Sequence, residues 1–168
     1  MYQSTKKYVI AFFVMFTFAV MSFCGCGSEE VEEGKYTSLE LMEKVRAGIN
    51  DLPEVVEFTE TTENADKILG YLTDTDMDKI KSFAYIYSEE GKAEEIAIIE
   101  LKQNKDVDEV MNDLKERIET RKNCFITYDE EEVKKFDAAT VVVKDNYVMM
   151  IIGNQANNGK YEFNKVFE

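Results

Sequence analysis

Carboxylates are the first side chains in this sequence that could do chemistry. Asp74-Thr75-Asp76-Met77-Asp78 sets three of them at alternate positions, the way a calcium loop begins. Such a loop also needs glycine at its sixth position for a sharp turn and glutamate at its twelfth for bidentate ligation. Those positions hold Lys79 and Tyr85, so the pattern fails twice. Asp74, Asp76 and Asp78 are therefore poor metal candidates. The spacing of Thr73 with Asp76, and of Thr75 with Asp78, instead predicts capping at a helix start. Two further acidic runs, Glu29 to Glu33 and Asp129 to Glu132, read as solvated charge, with weak divalent-cation binding as the alternative. The second opens an expected helix, where the macrodipole favours anions. Tyr85, Tyr87, Tyr128 and Tyr147 could line a ligand cleft, although packing on a sheet is the plainer reading. Histidine is absent. That removes the commonest general base, the commonest transition-metal ligand and the Ser-His and Cys-His nucleophile pairs. Gly153 and Gly159 bracket an Asn-rich loop, and no glycine-rich segment carries lysine at phosphate-loop spacing. No catalytic residue and no cofactor are expected.

The remaining reactive side chains are three cysteines. Met1 to Tyr8 is short and basic, and Val9 to Phe23 is apolar except for Thr17 and Ser22. Fifteen residues fall short of the roughly 20 that span a bilayer, but suit the apolar region of a signal peptide. Phe23-Cys24-Gly25-Cys26 then places a small residue directly before Cys26 and an apolar one three before it. This resembles the bacterial lipobox, in which the cysteine sulfur receives a diacylglycerol and cleavage leaves that cysteine as the new N-terminus. Phe23 stands where leucine is usual, and Cys24, preceded by bulky Phe23, is the second choice for the lipidated position. An uncleaved anchor helix and an ordinary signal peptide are the alternatives. Gly27 to Lys35 is small and acidic without periodicity, which reads as a flexible tether. Nine extended residues at about 3.3–3.6 Å each would reach roughly 30 Å. With Cys26 blocked by lipid, Cys124 has no partner for a disulfide. Its neighbours Phe125 and Ile126 predict burial as a small hydrophobe.

The expected organisation is a signal peptide over residues 1–25, a lipidated tether over 26–36 and one domain over 37–168. Residues 1–25 contain Lys6 and Lys7 and no acid, so the rest carries 18 basic and 34 acidic side chains, a net of −16. That charge repels anionic partners and disfavours nucleic acid, whose phosphates need clustered Lys and Arg.

Hydrophobic spacing supplies the elements that must hold these residues. Thr37 and Glu40 fit a capping box, followed by Leu39, Met42, Val45 and Ile49 at helical spacing to about Asn50. Val55, Val56 and Phe58 are ambiguous between strand and loop. Ala65 to Leu72 reads as a short helix ending near Gly70. Phe83, Tyr85 and Tyr87 alternate as a strand, Ile96 to Leu101 is a second, and Glu89 to Lys92 turns between them. Asp106 and Glu109 suggest another capping box, with Val107, Val110, Met111, Leu114 and Ile118 as one apolar stripe to about Lys122. Asp113 and Arg117, four apart, are expected to pair on its exposed face. Tyr128 to Phe136 reads as a short helix. Thr140 to Val143 and Tyr147 to Ile152 flank an Asp145-Asn146 turn, and a helix at about Lys160 to Phe167 ends the chain. The expected fold is α+β, a four-stranded antiparallel sheet of two hairpins with helices mainly on one face. Hairpin then helix occurs twice, so a pseudo-repeat is possible.

Glu95-Ile96-Ala97-Ile98-Ile99, the helix opening at Asp106-Val107 with Val110, Leu114 and Arg117, then Phe125, Tyr128, Val141 to Val143 and Asn146-Tyr147-Val148 resemble an uncharacterised family of bacterial lipoproteins, domain of unknown function 4358. The resemblance covers roughly residues 66–168 plus the lipoprotein N-terminus. It implies an extracytoplasmic lipoprotein and carries no catalytic or cofactor-binding residue to transfer. The resulting expectation is a non-catalytic binding or interaction domain. It would be held to the outer face of a cell membrane by lipid on Cys26, with an unidentified envelope protein as partner. A small-solute-binding lipoprotein serving a transporter is the second reading, and a carboxylate-based hydrolase the third.

Overall fold

Two strands with no polar face dictate the architecture. All seven residues of Glu95–Leu101 and all six of Tyr147–Ile152 are buried, which requires cover on both sides of the sheet. The structure, a computed structural model, describes residues 35–168. The expected signal segment, Cys26 and most of the acidic tether lie outside the described residues.

The chain runs α1 (Ser38–Ala47), β1 (Val55–Thr59), α2 (Ala65–Leu69), β2 (Ile80–Ser88), β3 (Glu95–Leu101), α3 (Val107–Tyr128), α4 (Glu130–Val133), β4 (Thr140–Lys144), β5 (Tyr147–Ile152) and α5 (Ala156–Lys165). The sheet has five strands in the order β1-β2-β3-β5-β4, every pair antiparallel. Both expected hairpins form. Gly91 (φ +71°) and Asp145 (φ +50°) supply the left-handed residues at their turns. Asn146 Nδ2 donates to Leu101 O at 2.6 Å, tying the second turn to β3.

Leu41, Met42 and Val45 of α1 and Phe163 of α5 pack on Ala84, Ile86, Ile96, Ile98, Met149 and Ile151. Val110, Leu114, Ile118 and Phe125 of α3 pack on Phe83, Tyr85, Ala97, Ile99, Val148 and Met150. The fold is therefore α+β with helices on both faces, not mainly one, and with five strands, not four. The extra strand is β1. Its burial is only partial at all but the exposed Glu57, so its sequence lacks the alternation of a half-buried strand. The two hairpin–helix units place α3 and α5 on opposite faces, so they do not repeat as layers.

Local chemistry explains the element ends. The Thr37–Glu40 capping box forms, with Glu40 N donating to Thr37 Oγ1 at 3.2 Å and Thr37 N to Glu40 Oε2 at 2.8 Å. The box expected at Asp106 does not. A 3₁₀ turn over Asn104–Asp106 runs straight into α3, Asp106 is already helical, and its carboxylate faces Lys79 at 3.6 Å. Helix α3 continues six residues past Lys122 because Phe125 keeps the core phase. Helix α5 starts four residues before Lys160, inside the Asn- and Gly-rich run read as loop. Gly159 is required there: a Cβ at this position would collide with Ile151 Cδ1 and lie 3.2 Å from Ile49 Cδ1 and Val45 Cγ1.

Two-faced burial makes a direct prediction. Leu41→Ala and Leu114→Ala remove side chains with no exposed surface on opposite sides of the sheet, so each should cost about 2–5 kcal/mol in urea denaturation. A sheet covered on one face would leave one of them near neutral.

Candidate functional site

Strand β3, apolar but for two buried glutamates, carries one of them at its first position. Glu95 shares the face of Ala97 and Ile99, so its carboxylate points under α3, and its side chain has no exposed surface. A carboxylate there needs a partner charge. Helix α3 supplies two, Arg117 and Arg121, one turn apart on its inner edge. Arg117 Nε donates to Glu95 Oε1, and Arg121 Nε lies 3.0 Å from Oε2.

Each guanidinium is also held from other sides. Arg117 Nη1 donates to Tyr71 O, and Nη2 donates to the Tyr85 hydroxyl at 2.8 Å. Its plane lies over the Tyr85 ring, 5.6 Å from the centroid. Burial works against the charge of Arg117, but Glu95 and Tyr85 more than offset it, so it stays protonated. Burial, aided by the charge of Glu95, pushes the Tyr85 hydroxyl well above the usual phenol range despite both arginines, so it remains a neutral phenol. Arg121 sits over Phe125 at 5.1 Å and donates from Nη2 to Lys92 O at 3.3 Å. Behind these, Phe58, Tyr85 and Tyr87 pack ring to ring at 5.6–6.2 Å.

The result is an open cleft of about 310 Å³ lined by Ile68, Tyr71, Tyr85, Tyr87, Glu95, Arg117 and Arg121. A second depression of about 260 Å³ adjoins it across Tyr71 and Arg117, with Thr73, Asp74, Asp113, Thr120 and Cys124 among its walls. Thr73 Oγ1 donates to Asp113 Oδ2 at 2.5 Å, and Asp74 N donates to the same oxygen at 3.2 Å. Asp113 therefore anchors the segment that carries Tyr71.

Several expected roles change. Asp113 and Arg117 do not pair on an exposed face; they reach in different directions, to Thr73 and to Glu95. Among the described residues no three carboxylates or cysteines gather as metal ligands. Asp74, Asp76 and Asp78 are all exposed. The helix-start capping expected of Thr73 or Thr75 does not form either: the cap position of the 3₁₀ turn (Met77–Lys79) is Asp76, without a side-chain cap bond, and Thr73 Oγ1 instead accepts from Thr75 N at 3.1 Å. Cys124 is exposed, not buried, because its neighbour Phe125 takes the core position of that turn. Tyr128 is 78% exposed and packs on no strand, whereas Tyr147 is buried on the opposite face with its hydroxyl donating to Tyr36 O at 2.5 Å. Tyr85 and Tyr87 both pack on the sheet and line the cleft. Tyr71, Glu95, Arg117 and Arg121 were not legible as a site. The one signal was a glutamate heading a strand that is mostly apolar.

A second buried ion-paired cluster includes Glu94, the residue before Glu95. Glu94 and Glu132 are buried, and Lys135 Nζ bridges them at 2.7 and 2.8 Å. Glu132 also accepts from Ala93 N at 2.7 Å. It is therefore not part of a solvated run, although Asp129 does cap α4 by accepting from Glu131 N at 3.1 Å.

Residues 54–153 match a family described as "Domain of unknown function (DUF4358)". That is more than half of the chain. The chain belongs to the DUF4358 family. No curated protein and no solved structure matches it. The DUF4358 segment starts at β1 and stops just after β5, so it spans the whole sheet with α3 and leaves α1 and α5 outside. Every residue lining the larger cleft falls within it.

Both sets of ion pairs can be probed through stability. Glu95→Gln should lower stability by about 2–3 kcal/mol in urea. That is below the roughly 3–5 kcal/mol of a fully buried broken pair, because the half-open arginines rehydrate. Glu132 titrates below the usual carboxylate range: burial pushes it up, but the bond and charge of Lys135, the Ala93 N–H and Lys92 outweigh that. A depressed pKa stabilises the fold above the unfolded value, about 4.3, and that stability is lost as pH falls through the folded value. Urea midpoints should therefore drop below about pH 4 more steeply in the native sequence than in Glu132→Gln.

Proposed function

We propose that this chain is a lipid-anchored extracytoplasmic lipoprotein whose DUF4358 domain binds a ligand, without turnover, in the cleft between Tyr71 and Arg121. The observation that carries the reading is the preorganised guanidinium pair. A buried carboxylate fixes both arginines beside an aromatic wall, and fixed polar groups set against ring faces are what a binding site needs.

Two features weigh against the alternatives. Acid–base carboxylates work when their environments push their pKa values apart. Lys135 lies between Glu94 and Glu132 and holds Glu132 ionised, which suits a structural clamp. Docking through a sheet face is disfavoured because helices cover both faces, and among the described residues the exposed large apolar side chains, Tyr71, Ile126, Tyr128 and Tyr161, do not lie on the sheet. The anchor rests on the lipobox-like segment ending at Cys26, and the strongly acidic chain suits a domain standing off an anionic lipid surface.

Two measurements test the proposal. In producing cells, labelled fatty acid should enter the native chain and not Cys26→Ala, and the variant should leave the membrane fraction. Unchanged labelling would remove the anchor. In a fragment screen of the mature chain by amide NMR, shifts should cluster at Tyr71, Tyr85 and Arg117. Tyr71→Ala should weaken the hits roughly tenfold, the loss of one stacked or desolvated anchor. Hits that cluster elsewhere would contradict a site in this cleft.

A further inference from the structure

We infer that the cleft selects a small organic monoanion with a flat apolar body, such as an aryl or indolyl carboxylate. This inference rests on the binding reading above and names its ligand class.

Charge comes first. The larger cleft sets two guanidinium groups against one carboxylate, a local surplus of one positive charge in a region of net −16. Neither oxygen of Glu95 is open to a ligand, since one accepts from Arg117 and the other faces Arg121, with the whole side chain buried. Within this cleft's own lining a cationic ligand would therefore meet the two guanidiniums and no free acid, the carboxylates of Asp74, Asp113 and Glu116 belonging to the adjoining depression.

The donor inventory points the same way. A guanidinium has five N–H donors. Arg117 directs Nε, Nη1 and Nη2 to Glu95, Tyr71 and Tyr85. Arg121 Nε is buried 3.0 Å from Glu95 Oε2 as a charge contact without a hydrogen bond, and Nη2 donates to Lys92 O, which leaves the N–H groups of Nη1 for an incoming acceptor. Its side chain is 29% exposed, so the group is reachable. Because Glu95 already fixes the guanidinium, little side-chain freedom is lost when an anion binds.

The walls set the body of the ligand. Tyr71 is 65% exposed at the mouth, and Tyr87 and Ile68 are half-buried inside it. A ring can lie against these surfaces while its acidic group reaches Arg121. At about 310 Å³ the cleft is at the small end of ligand pockets, roughly 300–1,000 Å³. The surrounding acidity disfavours multiply charged anions, because repulsion grows with ligand charge while the local surplus stays at one.

The test titrates the mature chain, carrying Cys26→Ser, with indole-3-acetate, its neutral amide indole-3-acetamide and cationic tryptamine, each followed by arginine Nε–H and backbone NMR. Indole-3-acetate should shift Arg117, Arg121 and Tyr71 and bind at least about tenfold tighter than the amide, the scale of one charge-assisted hydrogen bond. Tryptamine should bind weakest. Arg121→Gln should abolish the preference for the anion, so that indole-3-acetate and its amide bind within about twofold of each other, with resonances distant from the cleft unmoved. Equal binding of all three probes, or tightest binding of tryptamine, would overturn the anion selectivity and leave the cleft as a binding site. Absence of any cleft shift with all three would overturn both.

Discussion

A carboxylate with no exposed surface is costly to bury unless positive charge is brought to it, and Glu95 places that demand beneath α3. Arg117 and Arg121 meet it from successive turns of one helix. Their geometry then recruits the Tyr71 carbonyl, the Tyr85 hydroxyl and the Lys92 carbonyl. One ion-paired group thus links the central strand, the longest helix, the loop after α2 and the β2–β3 turn. Pairs of this kind add little net stability compared with apolar packing. Their use here is positional, since both guanidiniums are held at the edge of an open cleft.

The two-faced sheet is what makes that placement possible. Strand β3 is central, so one side of it serves α1 and α5 and the other serves α3. On the first side Glu100 makes a parallel demand, met by Ser82 Oγ at 2.9 Å and Lys81 at 3.0 Å. Ser82 in turn receives Ser38 N at 3.0 Å. That network pins the start of α1, next to where the acidic tether is expected to join. The two glutamates of one strand therefore divide the work, Glu100 securing the point where the chain enters the domain and Glu95 organising the cleft on the far side.

Much of the fold is legible in the amino-acid sequence. The hairpins follow from period-two spacing and from Asp145 and Gly91, and the α3 stripe from Val110, Leu114 and Ile118. The family membership rests on the same strand and helix core. What sequence reasoning misses has a common cause. Single-residue spacing says which face a side chain occupies, not what meets it across the fold. Arg117 looks like the partner of Asp113 because the two are four apart, yet each finds a partner more than 20 residues away. Edge strand β1 is obscured by partial burial, and α5 by Asn and Gly residues of low helix propensity that packing retains. The apolar content of β3 on both faces is visible, and so is the glutamate at its head. Together they imply cover on both sides and a buried ion pair.

Everything at the cleft depends on Glu95 holding both arginines in place without a ligand. The direct measurement is the exchange of the Arg117 and Arg121 Nε–H protons with water, followed by side-chain ¹⁵N NMR in the ligand-free chain and in Glu95→Gln. Both protons should be resolved and protected in the native chain, and both should lose protection in the variant. Arginine Nε–H protons that exchange like those of free arginine in the native chain, or that stay equally protected in the variant, would contradict it.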